Sequence, residues 1–342
     1  MKNLSFIVPV YNAEDSIEKC IDNILDTDCA DFELIIVNDG STDATAELIS
    51  KYRDKRIVYM EQDNKGVSEA RNSGLCKAAG KYIVFVDADD FVEVKKYINL
   101  LNKSDDNYDF IMFNYDMQFP DRKETATPIL PPGEYFSKDG EDLCRRLYDV
   151  PFSKHYQSTY IGGKVFQYIY KNEFLREFKI QFIPGVHYSE DCLFCLMCFK
   201  CVRRFMVSAD ILYHYIVFQY SASHKYRENF WQEQLDAHRI GCEIFGSEFG
   251  HRNETLFYYG NGVVLRTVQY GLRERRKKEA IGAIGKMLNI DEFQYAIHNV
   301  MFDEWTFRER IFLNLYKSKK FQLVYFVYKI ILILKHVLHR CG

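Results

Sequence analysis

Residues 1–115 predict an α/β protein: a mainly parallel sheet with helices on both faces, followed by a helical C-terminal region. Two observations lead there. Short runs rich in aliphatic and aromatic residues alternate with helix-like stretches across short connections, and the runs are apolar on both faces, as strands covered from both sides must be. The first run, 4–10, contains Pro9 and meets Glu14 and Asp15 soon after, so it reads as a strand rather than a leader. Further strands are expected at 32–38, 56–61, 82–86 and 109–115, with helices at 14–25, 44–52, 67–79 and 92–102.

Residues 116–140 carry Pro120, Pro128, Pro131, Pro132 and Gly133 and read as an irregular connection. A second α+β stretch follows from about 139 to 218. Beyond Ser221 the sequence turns helical, with segments near 230–245 and 255–273, so the expected division is 1–222 and 223–342. The basic run Arg273–Lys278 reads as a solvated helix face. The last stretch, 321–338, is strongly apolar but interrupted by Lys329 and Lys335 and preceded by Lys317, Lys319 and Lys320. A spanning helix needs about 20 apolar residues, so this segment either packs on the core or lies in a membrane interface with its lysines toward anionic head groups.

Composition sets bounds rather than a function. The 342 residues are 47% hydrophobic and 27% charged, enough for a sizeable core, and the net charge of −3 gives no basic field of the kind nucleic-acid binders carry. The ten cysteines and the absence of an export signal point to reduced thiols and a cytoplasmic protein, with peripheral attachment to the inner face of the cell membrane as an option.

In sheets of this class, ligands sit beyond the carboxyl ends of the strands, so the polar residues there are the place to seek chemistry. The first strand is followed by Tyr11-Asn12, the second by Asp39-Gly40-Ser41-Thr42-Asp43. Gly40 permits a tight turn and Ser41, Thr42 or Asp43 can cap a helix, but capping leaves Asp39 unexplained; a carboxylate there suits a base ring or a ribose. After the third strand, Lys65 and the backbone of Gly66 approach a helix start where amides favour anions, and Arg71 lies one turn in. The fourth strand ends in Asp87-Ala88-Asp89-Asp90. Three adjacent carboxylates repel one another, a helix cap requires only one, and a divalent cation bridging to phosphates would relieve the repulsion.

The segments FIVPVYNAEDSIEKCIDNIL, ELIIVNDGSTDAT and DNKGVSEARNSGLCKAAGKYIVFVDADD resemble the family 2 glycosyltransferases of the GT-A fold. The likeness is close over the first 100 residues or so, continues through Lys164, Tyr170, Phe174-Leu175 and the Glu190-Asp191-x-x-Phe194 pattern, and fades after about Ser223. It implies an inverting, metal-dependent transfer from a nucleotide-diphosphate sugar to a glycan or lipid-linked hydroxyl. Under that resemblance Pro9, Tyr11 and Asp39 line the base site, which favours a UDP-sugar, while Arg71 and Lys65 lie near ribose or diphosphate. Asp87 holds ribose or metal, Asp89 ligates Mn²⁺ or Mg²⁺, and Asp191, with Glu190 as fallback, takes the proton of the acceptor hydroxyl. Acidic residues in a first helical turn are favourable by themselves, which is the plainer reading of that pair. His187, His214 and His224 lie nearby in sequence, and His214 is kept as a candidate metal ligand.

Two other enzyme or binding classes compete. A nucleotidyltransferase on a related fold would carry a Gly-rich, basic loop where Tyr11-Asn12-Ala13-Glu14 stands, and a binding scaffold would have no need of Asp87, Asp89 and Asp191 together. The run Cys192, Cys195, Cys198, Cys201 suggests a metal cluster at first sight. Its intervening residues are mostly apolar and free of Gly and Pro, so a buried helical stripe with cysteine as a small hydrophobe accounts for it better.

Overall fold

The computed structural model describes residues 3–126, 130–148, 163–186, 188–217, 230–246, 252–301 and 307–338. Strands β1 (Leu4–Val10), β2 (Phe32–Asp39), β3 (Ile57–Gln62) and β4 (Tyr82–Phe85) pair in parallel in the order β3-β2-β1-β4. Beyond β4 the sheet continues through β9 (Tyr168–Lys171), β6 (Phe110–Gln118) and β10 (Arg204–Ile216). β9 is antiparallel to both neighbours, so β6 and β10 regain the direction of β4. The carboxyl ends of β1, β2, β4, β6 and β10 therefore share one edge of the sheet. Every residue of β2 is buried, as is most of β1, which explains their continuous apolar runs. Pro9 is tolerated inside β1 because pairing to β4 stops at Ile7.

Helices α1 (Ile17–Leu25), α2 (Thr45–Ser50), α3 (Val67–Lys77) and α4 (Val94–Lys103) connect the first strands, close to the expected positions. Two expectations change. The stretch 116–140 is not irregular, because β6 runs on to Gln118 and pairs antiparallel with β7 (Lys123–Ala126). Then β8 (Gly133–Phe136) pairs with β10 before α5 (Ser137–Tyr148). Pro120, Pro131 and Pro132 sit between these short strands, Pro128 lies outside the described residues, and the charged, exposed side chains of β7 suit a sheet margin. Val92, expected to open a helix, joins Phe91 in β5 (Phe91–Val92) instead and pairs with Tyr213–His214 of β10, delaying α4 to Val94.

After β9 come α6 (Asn172–Glu177) and α7 (Glu190–Cys201). The cysteine run is that helix: Cys195 and Cys198 are fully buried, burial pushes their thiols well above the ordinary range, and Cys195 Sγ lies 3.8 Å from the Tyr170 hydroxyl. Among the described residues no group of His, Cys, Asp and Glu is arranged to hold a metal by itself.

The described residues fall into two compact units, one reaching to Leu147 and resuming from 163 to 217, the other comprising the helices from Phe230 on. The second holds α8 (Phe230–Phe245), α9 (Arg252–Arg273), α10 (Lys277–Leu288), α11 (Asp291–Asn299), α12 (Phe307–Lys317) and α13 (Phe321–Leu338). Among the described residues no helix is long and apolar enough to cross a membrane.

Candidate active site

The loop after β1 and the loop after β2 brace each other. Asn12, at φ +48°, donates its backbone N–H to Ser41 Oγ (3.0 Å) and accepts the Thr42 N–H on Oδ1 (2.8 Å). Ala13 N–H donates to Thr45 Oγ1, Glu14 N–H to Asp43, and Ala44 N–H to the Glu14 carboxylate. Of the three expected caps, Ser41 and Thr42 tie two strand ends together instead, while Asp43 accepts the Thr45 N–H at the start of α2 at 3.0 Å. Tyr11 stands at this edge with half its surface exposed, 50%.

Asp39 is buried and its carboxylate shapes the next turn. Oδ1 accepts the Lys65 N–H (2.9 Å) and Gln62 Nε2 (2.8 Å), and Oδ2 accepts the Gly66 N–H (2.8 Å). Gly40, at φ +71°, has no room for a side chain: a Cβ there would lie 2.8 Å from Asn64 N. Gln62 passes the contact on, accepting from Ser73 of α3 at 2.7 Å. Lys65 enters this cluster through its backbone, and its side chain is exposed.

α3 explains why so polar a segment as Ser68-Glu69-Ala70-Arg71-Asn72-Ser73 sits inside the protein. Ser68 Oγ donates to Val186 O, Glu69 accepts the Gly185 N–H, and Asn72 exchanges two hydrogen bonds with the backbone of Phe182. The helix is a docking strip for Phe182, Gly185 and Val186, and it delivers Arg71 to the chemistry. Arg71 is 3% exposed; one nitrogen lies 2.5 Å from Asp191 Oδ1 and 3.3 Å from Glu190 Oε1, while the other lies 3.0 Å from Asp87 Oδ1. Its guanidinium also covers the Phe182 ring, itself stacked on Phe194 at 4.3 Å. Burial works against the charge on Arg71, but Asp191, Asp87 and Glu190 outweigh it and hold the group firmly protonated. Glu190 and Asp191 do open α7, yet neither caps it; Ser189, at φ +62°, turns the chain into the helix. Burial pushes the Asp191 carboxyl up to about 8 against the pull of Arg71, with Glu190 and Asp87 adding to the rise.

The three carboxylates after β4 separate into different jobs. Asp90 is buried and structural: it accepts the Tyr213 hydroxyl (2.6 Å) and the Ile216 N–H (2.7 Å), and burial, then Asp87 and Asp89, raise it to about 9. The same Tyr213 hydroxyl accepts the Asp87 N–H at 3.1 Å, fixing the turn from both sides. Asp87 is committed to Arg71. Asp89 is partly buried and, apart from its own backbone N–H, has no hydrogen-bond or ion-pair partner among the described residues; burial with the Asp87 charge lifts it to about 6.

His214 does not join this group. Its Nδ1 lies 2.8 Å from Asp116 and its Nε2 3.2 Å from Glu93, so neither nitrogen is left for a cation in this arrangement. As Tyr213 points to the Asp87–Asp90 turn, the alternation of a strand sends its neighbour His214 to the opposite face of β10. His187 and His224 lie outside the described residues.

Residues 5–170 match the family model for glycosyl transferase family 2, so over that span the chain is similar to that family. The chain is 34% identical over 215 residues to the uncharacterized glycosyltransferase EpsJ of Bacillus subtilis, covering 62% of this chain and 60% of that one. It is 29% identical over 220 residues to a poly(ribitol-phosphate) beta-glucosyltransferase of Bacillus spizizenii, covering 63% of this chain and 32% of that one. The chain thus matches less than two thirds of either relative's length. In fold it resembles the crystal structure of residues 1–349 of S. aureus TarS in complex with UDP-GlcNAc, with TM-score 0.63 at 20% identity over 96% of this chain and 91% of that one. The fold is GT-A.

Of the expected site residues, Arg71, Asp87, Glu190 and Asp191 come together, whereas Asp39 and Lys65 form a neighbouring turn. Tyr213 was not legible as a site residue. It lies 126 positions from Asp87, inside a strand of ordinary composition, and only the sheet order brings it under the turn.

Proposed function

We propose that the protein transfers a sugar from a nucleotide-diphosphate sugar, specifically a UDP-sugar, to a hydroxyl of a glycan or lipid-linked glycan, with inversion at the anomeric carbon. The observation that carries this is the gathering of Asp87, Glu190 and Asp191 around one buried arginine, with Asp89, two residues along, lacking a side-chain partner among the described residues. A single positive charge among three carboxylates leaves the site negative, and the partly buried Asp89 is a hard oxygen donor without a counter-charge. These residues fit a Mn²⁺ or Mg²⁺ ion that takes one or two carboxylates and completes its shell with phosphate oxygens and water. Asp89 would hold it, with the free oxygen of Asp87 beside it, and the ion would supply charge stabilisation for the departing diphosphate.

The chain's own groups account for the rest. Tyr11, Pro9 and the Asp39-braced turn form the base side; Asp39 Oδ2 accepts one hydrogen bond and keeps a lone pair for an imide N–H. In the reaction the acceptor oxygen bonds to the anomeric carbon as the bond from that carbon to the diphosphate oxygen breaks, and the acceptor proton passes to Asp191. Arg71 holds Asp191 in place by direct contact and spreads its charge between Asp191, Glu190 and Asp87, so it links the donor side to the acceptor side. The UDP-GlcNAc bound to TarS supports the donor class through the shared fold.

The test is a screen of UDP-, GDP- and dTDP-sugars with Mn²⁺ or Mg²⁺, read by thermal shift and by release of the nucleotide. Metal-dependent stabilisation by UDP-sugars, lost in Asp89→Ala, and sugar release or transfer lost in Asp191→Asn with donor binding kept, are expected. A protein that shifts with no nucleotide, or an Asp89→Ala variant as active as wild type, would overturn the proposal.

A further inference from the structure

α13 was left by its sequence between two readings, a core helix and an interfacial one, and the structure gives each to a different face. Val324, Tyr325 and Tyr328 are buried, packed within the second unit against α9, α10 and α12. The Tyr328 hydroxyl meets Tyr316 at 2.9 Å and Asn261 at 3.0 Å, and its ring stacks on Phe312 at 4.5 Å. The other face is apolar and bare: Leu323 (42% exposed), Phe326 (55%), Ile330 (41%), Ile333 (49%) and Leu334 (55%). At about 100° per residue these five positions fall within an arc of about 100° and run some 16 Å along the helix. Scattered exposed hydrophobics need no explanation; a continuous stripe of large ones on a helix whose opposite face is already buried does.

The charges around the stripe are of one sign. Lys317, Lys319 and Lys320 are exposed at the amino-terminal end of α13, Lys329 lies at the stripe's margin, and residues 317–338 contain no Asp or Glu. An apolar stripe bordered by lysines, on a helix unable to span, matches a bilayer surface bearing anionic lipids: the side chains enter the head-group and acyl boundary while the ammonium groups meet phosphates. A protein partner would have to supply both an apolar groove and an acidic rim; an anionic bilayer supplies both everywhere. We infer that α13 is a membrane-docking helix that lies in the plane of an anionic lipid surface through Leu323, Phe326, Ile330, Ile333 and Leu334. The inference is independent of the transferase proposal.

Co-sedimentation of the full chain with vesicles tests it, using phosphatidylcholine alone and phosphatidylcholine mixed with phosphatidylglycerol. The wild type is expected to bind the anionic vesicles and to release with salt in part only. Phe326→Ser with Ile330→Ser should weaken binding more than about tenfold, since both side chains lose their apolar transfer. Lys319→Ser with Lys320→Ser should cost about fivefold per lysine on anionic vesicles and little on neutral ones. All four positions are exposed, so unchanged circular-dichroism melts show that the variants fold. Failure of the wild type to sediment, or equal binding by the Phe326/Ile330 variant, overturns the inference. So does a size-exclusion shift from dimer to monomer in that variant, which would assign the stripe to a second copy of the chain.

Discussion

Asp89→Asn should make the metal-free protein more stable at neutral pH while disabling it. The Asp89 carboxyl is raised from 3.8 to about 6 by burial and by the Asp87 charge. Each unit of such a shift corresponds to about 1.4 kcal/mol, which sets an upper bound near 3 kcal/mol on the strain of keeping Asp89 ionised. Because the group is partly exposed, solvent screening reduces this to about 1–2 kcal/mol. The sign follows from proton binding. The folded protein holds this proton more tightly than the unfolded chain, so the wild type has its full stability below 3.8 and loses it as pH rises to about 6. Asparagine keeps the shape without the charge and also relieves Asp90, which feels Asp89 directly. Thermal unfolding in chelator across a pH series is the assay: the variant should melt about 2–8 °C higher at neutral pH, and the difference should vanish toward about pH 4. Adding Mn²⁺ with UDP should then raise the wild type and leave the variant unmoved. An Asp89→Asn protein that is no more stable than wild type in chelator, or whose advantage does not shrink with acid, refutes the reasoning.

Arg71→Met keeps bulk but strands three carboxylates, and breaking a buried ion pair of this kind costs about 3–5 kcal/mol by urea unfolding, a loss that should lessen in acid. Because Asp191 is raised to about 8 and must be unprotonated to accept the acceptor's proton, kcat/KM for the acceptor should climb with pH and level off above about 8. A profile already flat at the ordinary carboxylate value of about 4 would remove Asp191 from that role. Gly74→Ala places a Cβ 2.4 Å from Ile7 Cγ2, where α3 packs on β1, and should cost about 1–3 kcal/mol in a thermal melt without changing the polar site.

The strand ends were legible because physics writes them plainly: the apolar runs stop at Val10, Val37 and Val86, and the polar residues that follow have nowhere to be but the sheet edge. The pairing of Glu190-Asp191 with that edge was legible only through resemblance. The irregular reading of 116–140 failed because prolines mark turns without saying whether short strands lie between them; β7 and β8 exist by virtue of β6 and β10. For a similar reason the sequence did not show that His214 meets Asp116 and Glu93. Its nearness in sequence to other site residues says nothing of which strand face it takes, and that is set by Tyr213 reaching Asp90.

By itself, then, the sequence determined the parallel sheet, the edge that carries the chemistry and the excess of carboxylate on it, because periodicity and composition are local properties. The tertiary structure alone decided how those carboxylates divide. Arg71 takes Asp87, Glu190 and Asp191 because α3 docks against Phe182, Gly185 and Val186; Tyr213 and the Ile216 N–H take Asp90 because β10 runs beneath the turn; and Asp89 is left without a side-chain partner among the described residues. The partners lie 16 to 126 residues away, and the choice among equivalent acids is made by geometry, to which no local pattern has access.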